Sequence, residues 1–173
     1  MDNNYTLRRL RYALDINDVT MINIFKLSEY EMTPSHLTNL FKPEDDEGYV
    51  ECSDQAMESF LNGFISHKRG KKEGPTKKSN LSLLTNNIIL KKIRIALEFK
   101  EDDMLKIFKL ADVDVSKSEI TALFRREGHK HYKECGDQFF RNFLTGLTIR
   151  YRAEDMHSKA PSPNPLPKEG EIS

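Results

Sequence analysis

The chain has 173 residues, enough to bury a substantial core, and its 38% hydrophobic and 31% charged residues are ordinary for a soluble globular protein. No apolar run approaches about 18 residues, and the start combines basic residues with no continuous apolar stretch, so neither a transmembrane helix nor a signal peptide is expected. Two cysteines without secretory features predict free thiols in a reducing compartment, and we therefore expect a cytoplasmic protein.

The formal net charge of zero conceals an uneven distribution. Residues 1–70 carry a net charge of −5 and residues 84–153 a net charge of +4, with +3 in the segment between them and −2 after them. An acidic first half and a basic second half favour electrostatic contacts between the halves or with other molecules, without identifying the partner.

Residues 3–70 align with residues 86–153 without a gap, at a constant offset of 83 positions. More than a third of the paired positions are identical, and many others exchange similar residues. The alignment predicts a tandem duplication: a first helical repeat at 3–70, a basic flexible linker at 71–85, a second repeat at 86–153 and a disordered proline-rich tail at 154–173.

In chain order, each repeat shows the apolar spacing of four helices. The first and second helices have buried stripes, the third begins at an N-cap Thr33 or Ser116, and the fourth begins near an acidic residue that is expected to cap it, Asp54 or Asp137. No alternating run bounded by hairpin turns indicates a strand. The predicted core positions are Leu7, Leu10, Leu14, Met21, Ile24, Phe25, Leu37, Leu40, Phe41, Met57, Phe60, Leu61 and Phe64, with their equivalents 83 positions later.

A unit of about 65 residues is marginally stable alone, so two similar units are expected to pack against each other. Symmetric pairing is the common solution for identical subunits. The sequence therefore predicts an all-α fold, with two tandem copies of a roughly four-helix unit packed with pseudo-two-fold symmetry.

Several motifs recur in both copies: R-x-A-L, M-x-x-I-F-K-L, E-x-x-x-x-Y-x-E-C-x-D-Q and F-L-x-G. With them, nearly all of residues 3–153 resembles the YehS-like family of bacterial proteins. The resemblance implies a duplicated domain of unknown function in a bacterial cytoplasmic protein. It brings no established reaction, cofactor or catalytic residue, so none is carried over.

The segment between the third and fourth helices repeats polar residues, which normally diverge on a surface. One hypothesis is a composite pocket at the pseudo-axis, formed by carboxylates and thiols of both copies. The alternative is structural: capping, a packed tyrosine ring and a buried small cysteine. The candidate pocket residues are Glu44, Tyr49, Glu51, Cys52, Asp54, Glu127, Tyr132, Glu134, Cys135 and Asp137.

Metal binding and catalysis have weaker support in the sequence. His129 and His131 precede Cys135, but the first copy has Asp46 and Gly48 at the histidine positions, so no shared metal site is encoded. A cysteine nucleophile needs a nearby base and an orienting group, and no phosphate-binding glycine loop or G-x-S-x-G is present. We expect no cofactor and no metal, and the sequence favours a protein without enzymatic activity.

The order helix, helix, connection, helix in each copy is that of a tri-helical DNA-binding unit. Against this reading, the connection is longer than a tight turn, and acidic PEDDE follows the third helix of the first copy. Basic clusters nearby are candidates for phosphate contacts. They comprise Arg8, Arg9, Arg11, Lys91, Lys92, Arg94, Arg125 and Arg126.

Three functions therefore stay open. The sequence favours a non-catalytic protein-interaction module, because of its charge separation and repeated helical faces. A nucleic-acid-binding protein is the alternative, and a thiol and carboxylate pocket for a small ligand or metal, or an enzyme, is the third. No membrane partner is expected.

Overall fold

A computed structural model of the chain describes residues 1–70 and 83–158, with the backbone alone for residues 154–158. Within these ranges the protein has eight α-helices and no strand. The first repeat contains α1 (Asn3–Ala13), α2 (Asp18–Leu27), α3 (Pro34–Leu40) and α4 (Asp54–Arg69). The second repeat contains α5 (Asn86–Leu97), α6 (Glu101–Leu110), α7 (Lys117–Leu123) and α8 (Asp137–Ser158).

Hydroxyl and amide side chains fix where most helices begin. Thr33, Ser53, Thr85 and Ser116 each accept a hydrogen bond from a backbone N–H of the first turn, and Asn17 does the same for α2. These bonds satisfy donors that a helix start otherwise leaves without partners. Thr33 and Ser116 are thus the N-caps that the sequence predicts.

The start of the fourth helix differs from the prediction. Ser53, not Asp54, is the N-cap of α4, and Asp54 and Asp137 are the first residues inside their helices. Each of these carboxylates instead accepts a hydrogen bond from a side-chain amide at the start of its own repeat, Asn3 or Asn86, at 2.8 Å.

The two repeats pack against each other through their first and fourth helices. The first helix of each repeat lies along the fourth helix of the other, so α1 contacts α8 and α5 contacts α4. The contacts at Arg9–Thr148 and Tyr12–Arg152 follow each other in the same order along α1 and α8, so these helices run in the same direction. Equivalent contacts joining equivalent helices make the packing pseudo-two-fold, as predicted.

Within each repeat, the second helix approaches the fourth at a glycine. A Cβ atom added to Gly63 would lie 1.9 Å from the carbonyl oxygen of Ile24, and one added to Gly146 would lie 1.9 Å from that of Ile107. No side chain fits at that distance. The glycine of the F-L-x-G motif therefore sets how closely α4 packs on α2 and α8 on α6.

The core contains the predicted apolar residues with four exceptions. Leu14 and Leu97 are only partly buried, because Ala13 and Ala96 occupy the buried positions next to them. The third helices end before Phe41 and Phe124, which are their C-caps and are also partly buried. Four α-helices per repeat and the predicted stripes are otherwise confirmed.

Two predicted segments fall largely outside the described residues. These are residues 71–82 of the linker and residues 159–173 of the tail. Residues 154–158, which we assigned to the tail, continue α8. None of the described helices is long and apolar enough to cross a bilayer.

Candidate functional site

A buried asparagine holds the segment between the third and fourth helices of each repeat. The Asn4 side chain is only 1% exposed, donates to the carbonyl oxygens of Leu40 and Val50 at 3.1 and 2.9 Å, and accepts from the N–H of Cys52 at 2.7 Å. Asn87 makes the same three bonds in the second repeat. Its side chain donates to the carbonyl oxygens of Leu123 and Lys133 and accepts from the N–H of Cys135. The repeated polar segment is therefore attached to the first helix of its repeat.

The two cysteines lie in the core. Cys52 and Cys135 are 3% and 2% exposed, free of disulfides, and each thiol lies near the carbonyl oxygen of the next residue. Burial, followed by the charge of nearby Asp2 for Cys52 and Asp137 for Cys135, raises the pKa of each thiol to about 12. A thiol that stays protonated and buried is unsuited to nucleophilic chemistry or metal binding.

The two candidate segments lie at the same end of the molecule. Asp137 Oδ1 accepts from the side chain of Asn86 and lies 3.2 Å from the amino group of Met1, while Asn3 binds Asp54 of the other segment. The hydrogen bond from Asn86, and then the amino group, lower the pKa of Asp137 below its ordinary value.

In the described part of the chain, the ten candidate pocket residues form no hydrogen bond or ion pair with each other across the repeats. Among the residues that the structure describes, the hydrogen bonds and ion pairs of this set stay within one repeat, except for the pair of Met1 with Asp137. Glu44, Glu51, Glu127 and Glu134 are exposed, whereas Tyr49 and Tyr132 are partly buried. The described part of the chain also contains no group of three His, Cys, Asp or Glu side chains placed to hold a metal ion, although the rings of His129 and His131 are in contact.

A concave surface lies elsewhere, mainly on the second repeat, with Arg69 of the first repeat at its edge. Two adjoining cavities of 390 and 490 Å³ lie beside α5 and share Lys91 and Phe124 as lining residues. We call this surface the basic groove and define it by its five cations and one tyrosine: Arg69, Lys91, Arg94, Arg125, Arg126 and Tyr132. Two carboxylates, Glu98 and Glu127, also line it. It follows α5 from Thr85 to Glu98, about 20 Å at the rise of an α-helix.

Most cations of the basic groove have no acidic partner. In the described residues, no carboxylate lies within 4.0 Å of a cationic nitrogen of Lys91, Arg94, Arg125 or Arg126, whereas Arg69 forms a loose pair with Glu98 at 3.8 Å. Arg94 is held by its neighbours. Its guanidinium lies 4.5 Å from the ring centre of Phe124, and its Nε donates to the carbonyl oxygen of Phe99.

The equivalent face of the first repeat has the opposite character. Arg11, which corresponds to Arg94, is paired with Asp18, and the position of Arg126 is occupied by Pro43. The loop that follows is acidic in the first repeat, whereas the second repeat has Gly128–Lys130 at the corresponding positions. The first repeat also has Asp2 where the second has Thr85. The acidic loop comprises Glu44, Asp45, Asp46 and Glu47.

The eight candidate phosphate contacts separate into three groups. Lys91, Arg94, Arg125 and Arg126 line the basic groove. Arg8 and Arg11 belong to the acidic face of the first repeat. Arg9 and Lys92 are partly buried between the repeats, where Arg9 donates to Thr148 and Lys92 donates to Asn62 at 3.2 and 2.6 Å, and burial lowers the pKa of Lys92.

Comparison with known proteins agrees with this duplicated architecture. The family described as "Protein of unknown function (DUF1456)" matches residues 3–70 and again residues 86–153. The chain belongs to the DUF1456 family. It is 43% identical over 150 residues to the "Uncharacterized protein YehS" of Escherichia coli (strain K12). The matched region covers 87% of this chain and 96% of that protein. No solved structure matches the chain.

Membership of the DUF1456 family confirms the resemblance but assigns no activity to either repeat. Sequence reasoning missed the paired asparagines, Asn3–Asn4 and Asn86–Asn87, which hold the polar segment. The signal was present, because both are identical between the repeats while most polar positions differ. It also missed the groove, because its cations come from α4, α5 and the segment after α7, and only the tertiary structure brings these together.

Proposed function

We propose that this member of the DUF1456 family is a non-catalytic, cytoplasmic nucleic-acid-binding protein, and that the basic groove of its second repeat holds the phosphate backbone. The observation that carries the proposal is the set of four cations, Lys91, Arg94, Arg125 and Arg126, which line one concave surface, form no ion pair there and outnumber its two lining carboxylates. Cations that neutralise phosphates release counterions, which is the main source of affinity for nucleic acids.

The contrast between the repeats supports the proposal. A duplicated face that was basic only to keep the protein soluble would have no reason to differ from its equivalent. Here the first repeat keeps Arg8 and Lys42, but it pairs Arg11 with Asp18, has Pro43 in place of Arg126 and adds an acidic loop. The excess of positive charge is therefore concentrated on the second repeat. A long negatively charged ligand would be attracted to that side and repelled by the other.

The buried thiols favour a binding function over catalysis by cysteine. Both are protonated at neutral pH because burial raises the pKa of each to about 12. The protein-interaction module that the sequence favoured stays a prediction, and an acidic peptide is the protein ligand that this groove would accept. The same experiment can therefore compare the two ligands.

The test is fluorescence polarisation with a labelled oligonucleotide of about 16 nucleotides, titrated at several salt concentrations. Four neutralised phosphates of a single strand predict a log–log salt slope of about −3. The variant Lys91→Glu/Arg126→Glu should abolish most of the binding. Its matched control, Arg8→Glu/Lys42→Glu, makes the same change of charge on the equivalent face of the first repeat and should bind nearly as the parent protein does.

Three results would contradict the proposal. One is no measurable binding at low salt, and another is equal loss in both double variants, which would show dependence on net charge alone. The third is displacement of the oligonucleotide by poly-glutamate at equal charge concentration. That result would indicate an acidic protein partner instead.

A further inference from the structure

The basic groove also contains an aromatic side chain that the fold does not use. Tyr132 lines the larger cavity, is partly buried, and does not belong to the partly buried hydrophobic side chains that pack against the core. In the described part of the chain, its hydroxyl makes no hydrogen bond and its ring no aromatic or cation contact. By contrast, Phe124 is packed against the core and its ring is covered by Arg94.

The helices that would enter the major groove of a DNA duplex, α3 and α7, have few charged side chains available for contacts with it. A duplex-binding tri-helical unit places its recognition helix in the major groove and contacts phosphates beside it. The charged residues of α7 are Lys117 and Glu119, and both are engaged, with Asp102 at 3.6 Å and with Lys133 at 2.9 Å. The corresponding helix of the first repeat, α3, has no Lys, Arg, Asp or Glu.

The cations without a carboxylate partner instead surround a concavity. Arg125 and Arg126 follow the end of α7, while Lys91 and Arg94 project from α5 on the other side. A duplex presents its phosphates on a convex outer surface and keeps its bases stacked inside, so it cannot place a base against Tyr132. A single strand can do both, with its backbone along the cations and a base on the ring.

We propose that the ligand of the basic groove is single-stranded nucleic acid, with one base stacked on Tyr132 in the 490 Å³ cavity and the neighbouring phosphates at Lys91, Arg125 and Arg126. This inference rests on the proposed function and specifies its ligand. A cavity of this volume is in the range that small organic ligands occupy, so a nucleobase fits. The equivalent Tyr49 lies on the acidic face, where phosphates are repelled, and supplies a matched control.

The experiment compares a labelled single strand of about 16 nucleotides with the duplex of the same sequence, using the full chain and the variants Tyr132→Leu, Tyr132→Phe and Tyr49→Leu. Tyr132→Leu should weaken binding of the single strand on the order of tenfold, the usual effect of removing one stacking platform. Tyr132→Phe keeps the ring and should bind as the parent protein does, and so should Tyr49→Leu. The parent protein should bind the single strand more tightly than the duplex.

A second readout detects the stacking itself. A 2-aminopurine base in the strand should lose fluorescence on binding to the parent protein and to Tyr132→Phe, but much less on binding to Tyr132→Leu. Circular dichroism of each variant establishes that it is folded. If Tyr132→Leu is unfolded, Tyr132→Ser takes its place, since position 132 is outside the core and a small polar side chain is tolerated there.

The outcomes separate the two proposals. No binding of either nucleic acid overturns the proposed function and this inference together. Binding that depends on Lys91 and Arg126 but is equal for the duplex, or is unchanged in Tyr132→Leu, overturns only the single-strand ligand. Weaker binding in Tyr132→Leu that Tyr132→Phe shares equally also overturns it, because the ring would then have no part in the effect.

Discussion

The buried asparagine of the first repeat offers a sharp test of how the polar segment is held. The Asn4 side chain makes three hydrogen bonds to backbone groups of Leu40, Val50 and Cys52, and it is 1% exposed. Asn4→Ala would leave two carbonyl oxygens and one N–H without their partner. At about 1 kcal/mol for each net hydrogen bond, the expected loss in free energy of unfolding is about 3 kcal/mol.

The assay is urea denaturation followed by far-ultraviolet circular dichroism, since the chain contains no tryptophan. An unchanged m-value with a lower midpoint would show a true loss of stability. For a protein of this size the midpoint of thermal unfolding should fall by about 2–4 °C per kcal/mol. Asn23→Ala is the control, because Asn23 is an exposed residue of α2 and its replacement should change stability by less than about 0.5 kcal/mol.

Asn4→Asp adds a test of the geometry with a predictable pH dependence. The new carboxyl group still accepts from Cys52, but in its ionised form it faces the carbonyl oxygens of Leu40 and Val50 and is buried. Its pKa in the folded state should therefore rise above the ordinary value of about 3.9. Relative to the parent protein, stability is then greatest below that ordinary value and falls as the pH rises through the folded pKa.

Two findings would refute this reasoning about the asparagine. If Asn4→Ala lost no more stability than Asn23→Ala, the three hydrogen bonds would not hold the segment. If the difference between Asn4→Asp and the parent protein did not depend on pH between about 4 and 7, the site would be solvated rather than buried.

Three further predictions concern the packing, the thiols and a helix start. Gly63→Ala should destabilise the protein by about 3 kcal/mol or more, because the new methyl group meets backbone. Gly136→Ala, which has open space around it, should be tolerated, and equal losses would contradict this packing. Cys52 and Cys135 should resist alkylation at pH 8 until the protein is unfolded. Because their folded pKa of about 12 is raised above the ordinary value of 9.0, stability should fall as the pH rises through this interval, less steeply in the double alanine variant. Ser53→Ala should cost about 1 kcal/mol in chemical denaturation, the usual value for an N-cap, and no loss would show that another group caps α4.

The sequence alone predicted the fold because local rules and the repeat agree. Apolar spacing placed Leu7, Leu10 and Met21 in the core, and Thr33 and Ser116 begin their helices as predicted. A gap-free offset of 83 positions requires equivalent residues in each repeat to occupy equivalent environments. Two small units of similar shape then bury more surface together than apart, which predicts their pseudo-symmetric packing.

Tertiary structure decided where the polar residues act, because hydrogen bonds and charges depend on which elements become neighbours. The duplicated Cys52 and Cys135 are candidate site residues in the sequence, yet both are buried in the core. The backbone N–H of each donates to the side chain of a buried asparagine, Asn4 or Asn87. Arg9 is a basic residue like Arg8 and Arg11 in the same helix, but its side chain lies against α8, where it donates to Thr148.

The basic groove shows the same limit. Arg69, Lys91 and Arg126 are far apart in the chain and become neighbours only when α5 packs beside α4 and the segment after α7. Sequence periodicity reports the side of a helix on which a residue lies, which suffices to define a core. It does not report the distance between residues on different helices, and that distance determines whether separate cations form one binding surface.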